Sequence, residues 1–324
     1  MSPIPFGERL MAAVRAKNSV LCVGLDPRFA SLPKSLREKH LAPLAPLDPL
    51  DQHGPTPAAY AAACLEFCKD IASATHTFAA CVKPNSAFFE AFGWQGAKAW
   101  EELLAHCRAL DLLVVADIKR GDIGPTAEAY AQAHLTGRAD PAQSVALTVA
   151  DAVTLNPYLG LDTLAPWLAA CETTGAGAFV LVKTSNPGSG DFQDLALHGA
   201  VAENLHQRVA ARLAECARAP GLLPPGAAWS SLGAVVGATY PAELKDLRAR
   251  LPQMPLLVPG YGAQGGGAAA VAAAFDANGL GAVVNSSRAI CFAWQAQGLG
   301  ENDYARAAAQ AAQAARDDLN TVRG

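Results

Sequence analysis

Short apolar runs recur along the chain, and most of them end in Gly, Pro, Asn or Asp. Their interiors are almost continuously apolar, which is typical of parallel strands covered on both faces. The pattern predicts eight strands, at residues 20–27, 78–85, 112–119, 151–158, 178–185, 233–240, 255–262 and 281–288.

Ala- and Leu-rich segments with helical spacing lie between these runs. They predict helices at residues 57–75, 97–110, 126–136, 199–217, 241–250, 265–275 and 303–317, after a short amphipathic helix at the N-terminus. The alternation favours a (β/α)8 TIM barrel, an α/β fold, in one domain over residues 1–324. An open doubly wound sheet is the alternative, but "VGLDPR" after the first strand is not a dinucleotide-binding turn.

Two segments interrupt this rhythm. Residues 38–57 are rich in proline and predict a surface loop inserted after the first strand. Residues 218–232 predict a second irregular connection, before the sixth strand. Neither segment has the composition of a linker between two separate cores.

Composition restricts the class of protein. Hydrophobic residues make up 51% of the 324 and charged residues 17%, so a large core is expected and disorder is not. The net charge of −4 argues against nucleic acid as a partner but allows a local anion pocket. No apolar run approaches the roughly 18 residues that would cross a membrane. The N-terminus does not resemble a secretory signal, and most of the eight cysteines lie in apolar runs, which predicts reduced thiols in a cytoplasmic protein.

Polar side chains gather where the predicted strands end, which is where TIM barrels carry their chemistry. Asp117 and Lys119 are two residues apart at the end of strand three, so both should point to the same face. Lys83, at the end of strand two, supplies a second positive charge. With Asp122 these side chains would form an alternating array in which every member stays ionised. A purely structural ion-pair network that closes the barrel is the alternative.

A phosphate site is predicted at the last two strands. The turn "VPGYGAQGGG" at 258–267 contains Gly260 and would bring backbone N–H groups close to an anion. Arg288 follows in "NSSR", with a forked guanidinium donor. Loops after strands seven and eight commonly bind phosphate in such barrels.

Taken in order, these motifs resemble the orotidine 5'-phosphate (OMP) decarboxylase family. The resemblance rests on D-x-K-x-x-D in "ADIKRGDIGPT", together with "VGLDP", "VKPN", "VKTSNPG", "VPGYGAQGG" and "VNSSR". It extends from about residue 20 to 290 and is closest to the longer bacterial branch, type 2. The family converts OMP to UMP and CO2 in pyrimidine biosynthesis.

The resemblance implies a role for each matching residue. Lys119 would protonate C6 of the pyrimidine, Asp117 would lie beside the substrate carboxylate, and Lys83 would join the charged array. Asp122 and Thr126 would reach the active site of a partner subunit in a homodimer. The remaining substrate-binding residues would be Asp26 at the ribose, Ser185 at the pyrimidine, Gln264 and Arg288 at the phosphate, with Asn85 and Gly260 nearby.

The same resemblance implies a reaction without metal or cofactor. Two alternatives remain. Sugar-phosphate barrels with a similar D-x-K-x-x-D, such as 3-keto-L-gulonate 6-phosphate decarboxylase and hexulose-phosphate synthase, use Mg²⁺ and require a further carboxylate. A non-catalytic phosphate-binding barrel would keep the glycine turn and Arg288, but it would not need Lys119 between two aspartates.

Overall fold

The computed structural model describes residues 3–41, 56–138, 146–198, 202–262 and 267–323. Eight parallel strands form a closed barrel in the order β1-β8-β7-β6-β5-β4-β3-β2. They are β1 (Leu21–Leu25), β2 (Cys81–Pro84), β3 (Leu113–Arg120), β4 (Ala152–Leu155), β5 (Gly177–Lys183), β6 (Leu232–Val236), β7 (Leu256–Pro259) and β8 (Ala282–Ser286). Each lies within or within one residue of a predicted apolar run, and the prediction of a (β/α)8 barrel is confirmed.

Helices surround the barrel and bury its outer face. The α-helices are Phe6–Ala16, Lys34–Leu41, Thr56–Thr75, Ala87–Glu90, Gly93–Ala109, Gly124–Ala131, Ala165–Thr174, Gly190–Gln193, Leu205–Ala217, Pro241–Arg250, Ala268–Val271, Arg288–Cys291, Ala293–Ala296 and Tyr304–Asn320. Short 3-10 turns lie at Phe29–Ser31, Leu161–Leu164, Pro187–Ser189, Ala272–Ala274 and Glu301–Asp303, and a π-helical turn lies at Gln132–Thr136. The helical predictions hold except at the ends of several elements.

One helix and one hairpin differ from the sequence prediction. Helix Ala165–Thr174, between β4 and β5, was not among the predicted helices. The helix predicted from residue 199 begins only at Leu205. The preceding residues, Glu203–Asn204, pair antiparallel with Ala196–Leu197 in a small two-stranded sheet. Asn204 then forms a capping box with the following helix, which fixes the helix start.

The two predicted insertions have different outcomes. Residues 218–231 are irregular, as predicted, but Trp229 in this connection is buried. The prediction of a loop at 38–57 is wrong at both ends, because residues 38–41 complete helix Lys34–Leu41 and residue 56 begins helix Thr56–Thr75. The rest of that prediction, residues 42–55, lies outside the described residues.

All eight cysteines are free thiols, and all except Cys216 are buried. This agrees with the interpretation of the cysteines as apolar core residues. Within the described ranges, no helix has the combined length and hydropathy needed to span a membrane.

Candidate active site

The end of β3 carries the densest group of charges at the barrel mouth. Asp117 is buried and accepts hydrogen bonds from two ammonium groups, Lys83 Nζ at 2.5 Å and Lys119 Nζ at 2.6 Å. Lys83 comes from the neighbouring strand β2, as predicted, and is also buried. The side chain of Lys119 is half exposed and is therefore the member of this group most accessible to a ligand.

Lys119 does not reach Asp117 by regular strand alternation. The pairing of β3 with β4 shifts register between Ala116 and Arg120, and Lys119 itself has a φ of +44°. A residue other than glycine rarely adopts this left-handed backbone conformation within a strand. A strained backbone conformation of this kind persists only where surrounding contacts hold it in place. The irregularity places the Lys119 ammonium group over Asp117.

Thr154, on β4, holds the irregular segment in place. Its hydroxyl oxygen accepts the backbone N–H groups of Ile118 and Lys119, both at 3.0 Å, and its proton is donated to Asp117 Oδ1 at 2.9 Å. One donor and two acceptor positions are thus all used. Thr154 is not among the site residues predicted from the sequence. A polar residue in the middle of the apolar run "DAVTLNPY" was the available signal.

The array fixes the ionisation of Asp117 and Lys83. Burial opposes the charged form of Asp117, but the charges of Lys83 and Lys119 outweigh it and hold the pKa of Asp117 well below its usual range. Burial likewise opposes the charge on Lys83, and the charges of Asp117 and Asp26 outweigh it, so the pKa of Lys83 is raised. Asp117 is therefore an anion and Lys83 a cation near neutral pH.

A cavity of about 430 Å³ opens beside this array. Its polar wall includes Lys83, Asp117, Lys119 and Thr154, and its apolar wall includes Leu257. Residues of the loop after β5 complete the lining, namely Thr184, Ser185, Asn186 and Gln193. The cavity thus offers an apolar surface for a flat ring and a cationic group at one side.

A second cavity of about 210 Å³ shares Ser185 and Pro259 with the first, so the two form adjoining parts of one cleft. Its lining includes the predicted residues Asp26, Gly260 and Arg288, with Arg28 as a second guanidinium. Gly260 has a φ of +106°, a conformation that glycine adopts without strain. Arg28 was missed by the sequence analysis although it follows Asp26 closely in "VGLDPR".

Asp26 lines the smaller cavity, and its two carboxylate oxygens have different surroundings. Its Oδ2 accepts the hydroxyl of Ser287 at 2.5 Å. Its Oδ1 is buried and has no hydrogen-bond partner among the described residues. A buried acceptor without a partner is costly unless a ligand donates to it. Gly24 makes this arrangement possible, because a Cβ there would lie 2.7 Å from Ser287 Cβ.

Two predicted residues lie apart from the array of their own chain. Asp122 Oδ1 accepts the N–H of Ile123, and Asp122 takes part in no salt bridge among the described residues. Thr126 is exposed on the first turn of helix Gly124–Ala131. One chain therefore assembles three of the four predicted charges, Lys83, Asp117 and Lys119.

Two further polar residues at strand ends lie outside the lining of both cavities. Asn85 lines neither cavity, and its side-chain oxygen accepts the N–H of Ala87 at 3.1 Å. Lys183, the last residue of β5, also lines neither cavity and pairs with Asp194. Gln264, the predicted partner of Arg288 at the phosphate, lies outside the described residues.

Comparison with known proteins identifies the family. The model of the orotidine 5'-phosphate decarboxylase / HUMPS family matches residues 19–297. This chain belongs to that family. It is 46% identical over 288 residues to the orotidine 5'-phosphate decarboxylase of Rhodopirellula baltica, covering 89% of this chain and 88% of that protein. It is 39% identical over 321 residues to that of Deinococcus radiodurans, covering 98% of each.

Solved structures of the family have the same fold. The OMP decarboxylase of Leishmania donovani superposes with a TM-score of 0.71 at 33% identity, covering 99% of both chains. The family match spans every barrel strand, from β1 to β8, and includes all the predicted site residues. The resemblance inferred from the ordered motifs is therefore confirmed at the level of the family.

Proposed function

We propose that this protein is a carboxy-lyase that converts OMP to UMP and CO2 in de novo pyrimidine biosynthesis, without a cofactor. The observation that carries the proposal is the half-exposed Lys119 ammonium group, held 2.6 Å from buried Asp117 at the wall of an apolar cavity. This arrangement provides a fixed cation where a ring carbon can acquire negative charge. It also provides a proton for that carbon.

The substrate fits the two cavities by its chemistry. The pyrimidine would occupy the larger cavity, with Ser185 at its edge and its carboxylate near Asp117 and Lys119. The phosphate would occupy the smaller cavity, beside Gly260, Arg28 and Arg288. Asp26, which lines the smaller cavity, would accept a ribose hydroxyl. Gln264 is expected to join the phosphate site, as the family resemblance implies.

The reaction breaks the bond between C6 and the carboxyl carbon. CO2 leaves, the electron pair stays on C6, and the Lys119 ammonium group then gives its proton to C6. Because Lys119 is cationic before the reaction, it stabilises the carbanion as the charge develops and needs no reorganisation.

Repulsion between Asp117 and the substrate carboxylate is too small to be the main effect. Two like charges about 4 Å apart interact by roughly 4 kcal/mol at an effective dielectric constant of 20. The largest common enzymatic accelerations require up to about 23 kcal/mol. Asp117 is also compensated by two ammonium groups and the Thr154 hydroxyl. Stabilisation of the carbanion by Lys119 and binding energy from the phosphate must therefore supply most of the acceleration.

We further propose a homodimer in which Asp122 and Thr126 complete the partner's active site. Lys83, Asp117 and Lys119 together carry a net charge of +1, and Asp122 from a partner would neutralise the array. The hydrophobic side chains of Ile123, Tyr158 and Leu159 are more than half exposed on the loops after β3 and β4, where a partner could cover them. We expect the dimer to act in the cytoplasm, without a nucleic-acid partner.

Subunit mixing tests the shared site. Lys119→Ala and Asp122→Ala homodimers should each be inactive. Mixed and allowed to exchange, they should regain about one quarter of wild-type activity, because each heterodimer contains one intact site. No recovery, with exchange verified by mass, would place Asp122 outside the partner's site.

The Mg²⁺-dependent reaction of sugar-phosphate barrels is the second candidate, since the family model also covers HUMPS proteins. The occupied oxygens of Asp117 argue against it. Oδ1 accepts both Lys119 and Thr154, and Oδ2 accepts Lys83, so only one lone pair, on Oδ2, remains for a cation beside the bonded Lys83 ammonium group.

Loss of OMP absorbance in the presence of EDTA tests the proposed function. We expect full turnover with EDTA and none with the Lys119→Ala variant. Turnover that requires added Mg²⁺, or activity on a sugar phosphate but not on OMP, would overturn the proposal.

A further inference from the structure

We propose that Lys183 is a positioning residue for the substrate, because the ion pair of its buried ammonium group with half-exposed Asp194 closes the loop Thr184–Gln193 at the edge of the active-site cleft. This inference rests on the proposed function. It concerns a lysine that lines neither cavity and has no place in the mechanism described above.

Lys183 is the last residue of β5 and is completely buried. The pairing of β5 with β6 shifts register between Leu181 and Lys183, so the lysine departs from the regular strand. Its Nζ lies 2.5 Å from Asp194 Oδ1 and 4.7 Å from the centre of the Tyr240 ring. A buried ammonium group is costly unless it is paired, so the position of Asp194 is tied to that of Lys183.

The same two chain segments are joined by a second set of polar contacts. The N–H of Thr184 donates to Gln193 Oε1 at 2.9 Å, and Gln193 Nε2 donates to Thr184 Oγ1 at 2.8 Å. Thr184 Oγ1 in turn donates to Asn186 Oδ1 at 2.6 Å. Residues Lys183–Thr184 and Gln193–Asp194 therefore form a clasp at the two ends of the loop.

His206 anchors this clasp to the body of the protein. It is buried on helix Leu205–Ala217, and its Nδ1 donates to the backbone carbonyl of Gln193 at 2.8 Å. At the other end, the N–H of Gly237 donates to the carbonyl of Lys183 at 2.8 Å. The loop is thus held from β6 on one side and from a helix on the other.

The residues that the clasp holds face the substrate cleft. Thr184, Ser185, Asn186 and Gln193 line the larger cavity, and Ser185 lines both cavities. Loss of the ion pair should release these side chains without moving Lys119 or Asp117, which lie on β3. We therefore expect a defect in substrate binding and little change in the chemical step.

Steady-state kinetics of Lys183→Met and Asp194→Asn test the inference, with calorimetric UMP binding alongside. Each variant should raise KM for OMP and Kd for UMP by about tenfold or more, with kcat within about threefold of wild type. Asp194→Glu should keep both constants near wild type, because half-exposed Asp194 has room for a longer carboxylate.

A matched control separates this role from a general loss of stability. Arg248 is also a buried cation, but it donates to the carbonyls of Gly281 and Met254, before β8 and β7 and away from the cleft. Arg248→Met should lower Tm and leave KM unchanged. In Asp194→Asn, amide exchange should become faster over residues 184–195.

Each outcome is decisive. Lower Tm with unchanged KM in Asp194→Asn, as in Arg248→Met, would reduce the pair to a structural contact and overturn the inference. If Lys183→Met fails to fold, the comparison of Asp194→Asn with Asp194→Glu still tests the inference. If the wild-type protein does not decarboxylate OMP, both the proposed function and this inference fail. If the wild-type protein is active and Asp194→Asn leaves KM unchanged, only this inference fails.

Discussion

Lys119 Nζ lies 2.6 Å from Asp117 Oδ1 across an irregular segment of β3, in which Lys119 has a φ of +44°. In a regular strand the two side chains would be parallel neighbours. Here the strained backbone turns the ammonium group over a carboxylate that already bonds Lys83. The proton donor is therefore held in place by its backbone as well as by its charge.

Removal of the Lys119 ammonium group should stop catalysis but not binding. We expect Lys119→Ala to lower kcat by at least about 10³-fold, because both the stabilising charge and the proton are lost. The affinity for UMP should stay within about tenfold, because phosphate and ribose contacts remain. Absorbance assays and calorimetry measure the two quantities. Lys98→Ala, on helix Gly93–Ala109, is the control, and near-normal turnover of Lys119→Ala would refute the assignment.

Asp117 should be important for stability as well as catalysis. Asp117→Asn leaves the buried Lys83 ammonium group without its counter-ion, which should cost about 3–5 kcal/mol of unfolding free energy at neutral pH. Urea denaturation measures this. Asp246→Asn removes a surface pair with Arg250 and should cost less than about 1 kcal/mol. Equal losses in the two variants would contradict the burial of the Lys83–Asp117 pair.

The stability contributed by Asp117 should depend on pH in a defined direction. Its pKa is lower in the folded protein than the usual unfolded value of about 3.9. The contribution is therefore complete above that value and is lost as the pH falls below it, toward the lowered pKa. The difference in unfolding free energy between wild type and Asp117→Asn should stay constant from pH 8 to about 5 and narrow below about 4. A difference that stays constant below about pH 4 would show that the pKa of Asp117 is not lowered.

The strands and the positions of charged residues at their ends could be predicted from the sequence, because buried parallel strands are continuously apolar and stop where polar residues begin. The direction in which each side chain points could not be predicted from the sequence. Lys119 and Lys183 both lie near the ends of their strands, yet one faces the cleft and the other is buried against Asp194. Both strands shift register near these lysines, and such irregularities leave no mark in the apolar pattern.

Local strand irregularity also explains why the role of Thr154 could not be predicted from the sequence. Thr154 looks like an ordinary strand residue, since threonine is common in strands, and only the irregular β3 beside it gives its hydroxyl three partners. Asn85 follows β2, and its side-chain oxygen accepts a local N–H, a frequent use of Asn in turns; its predicted role in substrate binding stays a prediction.

Arg288 should contribute through the phosphate. Arg288→Ala is expected to lower kcat/KM by about 10²-fold or more, since phosphate binding energy is used in the transition state. Added guanidinium ion should restore part of the activity of this variant. Arg28→Ala tests the second guanidinium of the same cavity and should have a smaller effect. Unchanged kinetics of Arg288→Ala would remove Arg288 from the phosphate site.

Thr154 should affect the reaction through the position of Lys119. Thr154→Val keeps the shape of the side chain but leaves the N–H groups of Ile118 and Lys119 without an acceptor and removes one donor to Asp117. Each unsatisfied buried group costs about 1–3 kcal/mol, so unfolding free energy should fall by at least about 2 kcal/mol. The backbone of Lys119 should relax from its strained conformation.

The kinetic result should separate this role from simple destabilisation. We expect kcat of Thr154→Val to fall by about tenfold or more while the affinity for UMP changes little, because the ammonium group is misplaced and the phosphate site is not. Thr154→Ser keeps the hydroxyl and should restore kcat to within about threefold of wild type. If Thr154→Val loses stability but keeps kcat, Lys119 is positioned by its ion pair with Asp117 alone.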